Sequence, residues 1–276
     1  MKIKQSGNNL IIEEIRCFDL EQTLDCGQAF RWKQSSDGCF QGAAFGKFLK
    51  IGEKDGNIIL YNTTQQDFDL IWKKYFDLER DYEKIICDIG ENEVLRKAAD
   101  YAKGIRLLSQ EPWEALCSFI ISQNNNIPRI KGIVERLCDN FGEHINEEYC
   151  AFPSAQVIAK LTVEDLAPLR CGFRARYILD AAQKVASGEI VLEKLREADT
   201  ASAREVLKKI CGVGDKVADC ALLFGLSHIS AFPKDVWIKR AMEHLFDGEL
   251  PECALPYAGI VQQYIFHYAR TTKLNV

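Results

Sequence analysis

Lys216 and Asp235 stand nineteen residues apart, and Lys216 lies two residues past a Gly212-Val213-Gly214 turn. That turn joins two apolar-striped segments, with Val206, Leu207 and Ile210 before it and Val217, Cys220, Ala221 and Phe224 after it. Helix, Gly-x-Gly, helix is a tight corner whose glycines accept backbone conformations that a Cβ penalises. The second helix opens with unpaired N–H groups, which suit an anion such as a phosphate. Lys216 falls in the first turn of that helix, where the helix dipole disfavours a cation. Two readings stay open on the residues alone. The lysine either lays its stem over apolar neighbours at the surface, or it is an amine kept uncharged to act as a nucleophile. Asp235 precedes the helical run Val236, Lys239, Arg240, Met242 and suits an N-cap, worth ~1 kcal/mol. The same fixed carboxylate can also stabilise developing positive charge.

The elements that must carry these residues change character near residue 90. Before it, short β-like runs (Leu10–Ile12, Phe30–Trp32, Phe45–Ile51 and Ile58–Tyr61) alternate with turn signals at Ser36-Asp37-Gly38 and Lys54-Asp55-Gly56-Asn57. Asp-Gly between apolar runs predicts a hairpin. After it the period is helical. Pro112 suits a first helical position, and Trp113, Leu116, Cys117, Ile120 and Ile121 form one stripe that Asn124 continues. Ile130, Ile133, Val134, Leu137 and Phe141 form another, with further helices expected over 177–185 and 206–210. The fold class is α+β: a β-rich domain over residues 1–90, with an antiparallel sheet, and a helical domain over 91–276.

Composition narrows the function classes. The chain has 276 residues, 47% hydrophobic and 27% charged, which is globular composition. With 35 Lys+Arg against 40 Asp+Glu it carries a net charge of −5, so a wholly basic nucleic-acid coat is excluded. Residues 204–240 nonetheless hold seven basic and four acidic side chains, a local +3. Cys220–Pro233 lacks Asp, Glu, Lys and Arg but is too short and too polar to span a bilayer. MKIKQSGNNL has no apolar run behind its lysines, so no secretory signal is expected. Eleven cysteines then read as reduced intracellular thiols. No two are three apart, which leaves a structural zinc or iron–sulfur site little support.

GVGDKVADC, followed nineteen residues after its lysine by PKDV, resembles the helix-hairpin-helix, Gly/Pro-rich loop and aspartate signature of the DNA glycosylase superfamily. Gly27-Gln28-Ala29-Phe30-Arg31-Trp32, Ser122-Gln123-Asn124-Asn125-Asn126-Ile127-Pro128-Arg129-Ile130, Gly172-Phe173-Arg174-Ala175-Arg176-Tyr177 and, more weakly, Gln262-Gln263-Tyr264-Ile265-Phe266 resemble the 8-oxoguanine DNA glycosylase family in particular. The resemblance implies a fold, an N-terminal antiparallel sheet before a helical helix-hairpin-helix core, and a set of roles. Lys216 matches the Schiff-base nucleophile and Asp235 the essential aspartate. Gly27, Cys220, Gln262 and Phe266 match the damaged-base pocket. Asn124, Arg129 and Arg174 match the group that reads the widowed cytosine, and Phe173 the wedge. Gly212 and Gly214 match the phosphate clamp, which in such hairpins often works through a bound monovalent cation.

The implied activity is excision of 8-oxoguanine from double-stranded DNA with strand cleavage at the abasic site, by a monomer with no iron–sulfur cluster and no catalytic metal. It would work inside the cell, in the cytoplasm or nucleoid of a prokaryote or the nucleus of a eukaryote. A non-catalytic helix-hairpin-helix DNA-binding module is the alternative, and it would need neither Lys216 nor Asp235. Three positions depart from the family pattern: Phe173 where tyrosine is common, Trp237 two residues after Asp235 where vertebrate relatives carry histidine, and Cys211 in place of a proline.

Overall fold

The computed structural model describes residues 1–272. Its sheet has six strands, β1 (Lys2–Ser6), β2 (Asn9–Glu13), β3 (Lys33–Gln34), β4 (Phe40–Ala44), β5 (Lys47–Lys54) and β6 (Asn57–Tyr61), in the order β1-β2-β6-β5-β4-β3. The longer helices are α1 (Tyr82–Ile89), α2 (Glu93–Ala102), α3 (Pro112–Ile121), α4 (Ile127–Phe141), α5 (Arg174–Ala186), α6 (Thr200–Leu207), α7 (Asp215–Leu226), α8 (Val236–Phe246) and α9 (Ala258–Thr271). This is the α+β order expected, strands first and helices after. Among the described residues no helix is long and apolar enough to cross a membrane.

Two compact units interleave along the chain: one holds 1–28, 51–109 and 228–276, the other 29–50 and 110–227. In the first, β2 pairs antiparallel with β1 and β6. Leu10 faces Leu60 and Ile12 faces Ile58, and all four side chains are buried. The Asp55-Gly56 turn is left-handed at both residues (φ +53° and +73°) and closes the β5–β6 hairpin as expected. In this unit α9 packs on α2 and α8. In the second unit α7 packs on α3 and α6, and α3 also touches α5.

Three local expectations need correction. Phe30–Trp32 is not a strand; the chain becomes extended and paired only at Lys33, and the buried Phe30 and Trp32 rings serve the core from irregular backbone. Phe45 does not begin a strand. With Gly46 it forms the left-handed β4–β5 turn (φ +52° and +70°), leaving Phe45 exposed. Asn124 does not extend the α3 stripe, because α3 ends at Ile121 and Asn124 is itself left-handed (φ +46°).

Candidate active site

The unit formed by 29–50 and 110–227 contains Asn124, Arg129, Phe173, Arg174, Gly212, Gly214, Lys216 and Cys220. The hairpin between α6 and α7 is anchored from α5. Cys211 N–H donates to Asp180 Oδ2 at 2.7 Å, Lys184 Nζ pairs with Asp180 at 2.9 Å and donates to Lys209 O at 2.7 Å, and Val213 N–H closes the turn on Ile210 O. Gly212 is imposed twice over: its φ is +75°, and a Cβ there would sit 2.4 Å from the Tyr177 ring. Gly214 has ordinary φ (−100°), and its Cβ direction is open space. Only the first glycine is therefore demanded by the backbone. The second, as N-cap of α7, leaves the helix N-terminus open to approach.

Lys216 is the second residue of α7 and is half-buried. Its Nζ donates to Ser122 Oγ at 3.0 Å and lies 5.4 Å from the centroid of the Phe119 ring; among the described residues it has no carboxylate partner. Asp215, the nearest acid in sequence, pairs instead with Lys208 at 2.9 Å. Cys220, one turn on from Lys216, is buried. Side chains at i and i+4 share a helix face.

Each asparagine of the run has its own place in the backbone. Asn124 takes the left-handed position, Asn125 Nδ2 donates to Ile121 O at the end of α3, and Asn126 caps α4 by accepting from Arg129 N–H at 3.0 Å. Arg129 and Asn124 are exposed. Arg174 is not; it is only 3% exposed. Its guanidinium donates to the carbonyls of Gln123, Asn124 (3.0 Å) and Cys171 (3.1 Å), tying the end of α3 to the start of α5. Burial, then the nearby charge of Arg129, lowers its pKa. Phe173, 44% exposed, packs its ring 4.5 Å from the Arg174 guanidinium carbon and edge-on to Tyr177. Asn124, Phe173 and Arg174 are thus brought together.

The unit formed by 1–28, 51–109 and 228–276 contains Gly27, Asp235, Gln262 and Phe266. Asp235 caps α8, accepting from Ile238 N–H at 2.8 Å, as its position before an apolar helix requires. Gln262 is buried; its amide donates to Pro233 O at 3.3 Å and accepts from Gln263 Nε2 at 2.7 Å. Gln263 in turn accepts from the Cys26 thiol at 3.5 Å. A hydrogen-bonded chain therefore connects the neighbour of Gly27 (φ +89°) to the loop that ends at Asp235. Phe266, one turn after Gln262, is half-buried.

Sequence reasoning missed Ser122, Asp180 and Gln263. Ser122 and Gln263 sit inside the motifs quoted, but their polarity gives no hint of burial or partner. Among the described residues no group of three or more His, Cys, Asp or Glu side chains could hold a metal ion.

The helix–Gly-Val-Gly–helix corner, with a lysine in the first turn of its second helix, is a helix-hairpin-helix. Residues 117–249 match the HhH-GPD superfamily of base excision DNA repair proteins, and residues 10–116 match the N-terminal domain of 8-oxoguanine DNA glycosylase. A structure of MBOgg1 in complex with a low-affinity DNA ligand agrees with a TM-score of 0.92 at 41% identity, over 99% of both chains. So does that of Clostridium acetobutylicum 8-oxoguanine glycosylase/lyase with dsDNA containing cytosine opposite to 8-oxoG, at 34% identity, TM-score 0.92 and the same coverage. The N-glycosylase/DNA lyase of Saccharomyces cerevisiae is 30% identical over 253 residues, 80% of this chain and 66% of the yeast protein. This chain belongs to the 8-oxoguanine DNA glycosylase family.

Proposed function

We propose that the chain excises 8-oxoguanine from duplex DNA and cleaves the resulting abasic strand, with Lys216 as the nucleophile. The observation that carries this reading is the Lys216 amine: half-buried, at the N-terminus of the hairpin's second helix, and without a carboxylate partner among the described residues. A lysine in a permanent ion pair would not be available to attack. Complexes of the Clostridium relative with DNA carrying cytosine opposite to 8-oxoG support the substrate.

A target atom inside a duplex requires the base to be flipped out, and a wedge such as Phe173 fills the gap at a cost of a few kcal/mol in lost stacking. The oxidised base has a donor at N7 where guanine has an acceptor. The Gly27 carbonyl would pair with the first and oppose the second, and leaving two buried acceptors face to face costs ~1–3 kcal/mol. Gln262 would hold the Watson–Crick edge, with Cys220 and Phe266 on the two faces. Lys216 Nζ then attacks C1′ as the bond to the base breaks. The electron pair leaves with the base, which takes up a proton, and Nζ loses one. Asp235 stabilises the oxocarbenium-like charge meanwhile. Ring opening gives a Schiff base, loss of a C2′ proton expels the 3′ phosphate, and water releases the lysine. Asn124, Arg129 and Arg174 are assigned to the widowed cytosine.

The Gly212–Gly214 turn is assigned to a backbone phosphate. A monovalent cation would be held there by backbone carbonyl oxygens of the turn, which Asp180 and Ile210 pin in place. Such an ion would neutralise phosphate charge. No iron–sulfur cluster enters the proposal.

Borohydride trapping on an 8-oxoguanine:cytosine duplex tests the reading. Wild-type chain is expected to form a covalent adduct, and Lys216→Gln is expected to bind the duplex and form none. An adduct in the variant at the wild-type rate refutes Lys216 as the amine. Binding by wild type without excision returns the non-catalytic module.

A further inference from the structure

Ser122 is committed on its donor side. Its hydroxyl donates to the Phe119 carbonyl at 2.8 Å, so it offers Lys216 lone pairs only and can do nothing but accept. Ser122 is also held on both sides. It is the C-cap of α3, and Arg174 holds the carbonyls of the two residues that follow it. The helix bearing Lys216 is pressed onto α3: a Cβ on Gly225 of α7 would lie 2.9 Å from Ala115 Cβ and 3.1 Å from Pro112 Cα. Phe119 stacks on Phe224 of α7 with centroids 5.1 Å apart and planes 19° apart, and meets Phe30 edge-on at 5.7 Å. The lysine stem is flexible, but both things its amine touches are fixed.

We infer that Ser122 is a positioning residue for the nucleophile. By accepting one N–H of Lys216 Nζ it directs the nitrogen lone pair away from α3 and holds it for bond formation at C1′, with the Phe119 ring as the floor beneath the amine. A tetrahedral nitrogen that donates to a fixed acceptor cannot also aim its lone pair at it, so the contact keeps the lone pair off α3. Ser122 neither gains nor loses a proton in the step, because its own stays on the Phe119 carbonyl bond. Alignment of reacting groups is a large part of catalytic power. This inference rests on the reading of Lys216 as the nucleophile.

Ser122→Ala removes the acceptor with little change in volume, and Ser122→Thr keeps it. The measurements are single-turnover excision and borohydride trapping on an 8-oxoguanine:cytosine duplex, together with duplex affinity, Tm, and Lys216→Gln in parallel. Expected is a slowing of both reactions by about tenfold in Ser122→Ala, with affinity and Tm held, and recovery of most of the rate in Ser122→Thr. Wild-type rates in Ser122→Ala overturn the inference while leaving the lysine reading intact. Equal slowing in both variants overturns it too, since the hydroxyl would then be a structural detail. An adduct that persists in Lys216→Gln overturns the lysine reading, and the role of Ser122 falls with it.

Discussion

Asp235 is an N-cap, and a proposed charge stabiliser, and one substitution series can separate the two roles. As N-cap of α8 it accepts a hydrogen bond from Ile238 N–H at 2.8 Å. Loss of such a cap costs ~1 kcal/mol, and Asn caps about as well as Asp. For a chain of this size 1 kcal/mol lowers Tm by roughly 2–4 °C. Asp235→Ala is therefore expected to melt about 2–4 °C lower and Asp235→Asn to melt with the wild type. The chemical role follows a different scale. Removing a preorganised electrostatic stabiliser of a transition state typically costs about 10²–10³ in rate. Asp235→Asn keeps shape and cap and removes only the charge, so it is expected to lose ~10²-fold or more in single-turnover excision. Scanning calorimetry and excision of 8-oxoguanine opposite cytosine, with protein in excess over duplex, give the two numbers independently. Excision by Asp235→Asn at the wild-type rate refutes the charge role, and a Tm drop equal to that of Asp235→Ala refutes the equivalence of the caps.

Two further outcomes are expected. Glu114 is buried with Arg31, and desolvation outweighs the arginine and raises its pKa to about 7. The folded chain then holds this proton more tightly than the unfolded chain, so stability from this group falls as pH rises from about 4.5 through about 7. Glu114→Gln should flatten the fall of Tm across that window, and an unchanged slope would show that Glu114 does not titrate there. On the opposite base, excision should prefer 8-oxoguanine paired with cytosine over the same lesion paired with adenine. Exposed Asn124→Gly, which keeps the left-handed backbone, should lose that preference at nearly constant Tm, whereas Arg174→Ala, which strips donors from three carbonyls, should lose both preference and Tm. A preference untouched in both variants would remove these residues from cytosine recognition.

What the sequence made legible is what is local. The α3 stripe behind Pro112, the Asp55-Gly56 hairpin and the Asp235 cap each depend on neighbours within a turn or two, and each is found. The failures are long-range. Arg174 looks like a surface cation until the carbonyls fifty residues away close around it. Ser122 gains its interest from Lys216, ninety-four positions on. Patterns of polarity report faces of elements; they do not report which carbonyl or amine another element brings to that face.

The N–H that Cys211 gives to Asp180 bears on how the chain reaches its fold. A proline at that position would stiffen the turn in the unfolded chain as well, reducing the entropy to be lost on folding. Here the stiffening contact spans thirty-one residues and exists only when α5 has docked. The loop-closure cost must be met first. The Gly212–Gly214 turn therefore orders together with α5, the helix whose first turn carries Arg174, rather than ahead of it. The hairpin turn and the Arg174 tie to the end of α3 would then be gained, and lost on local unfolding, as one cooperative block.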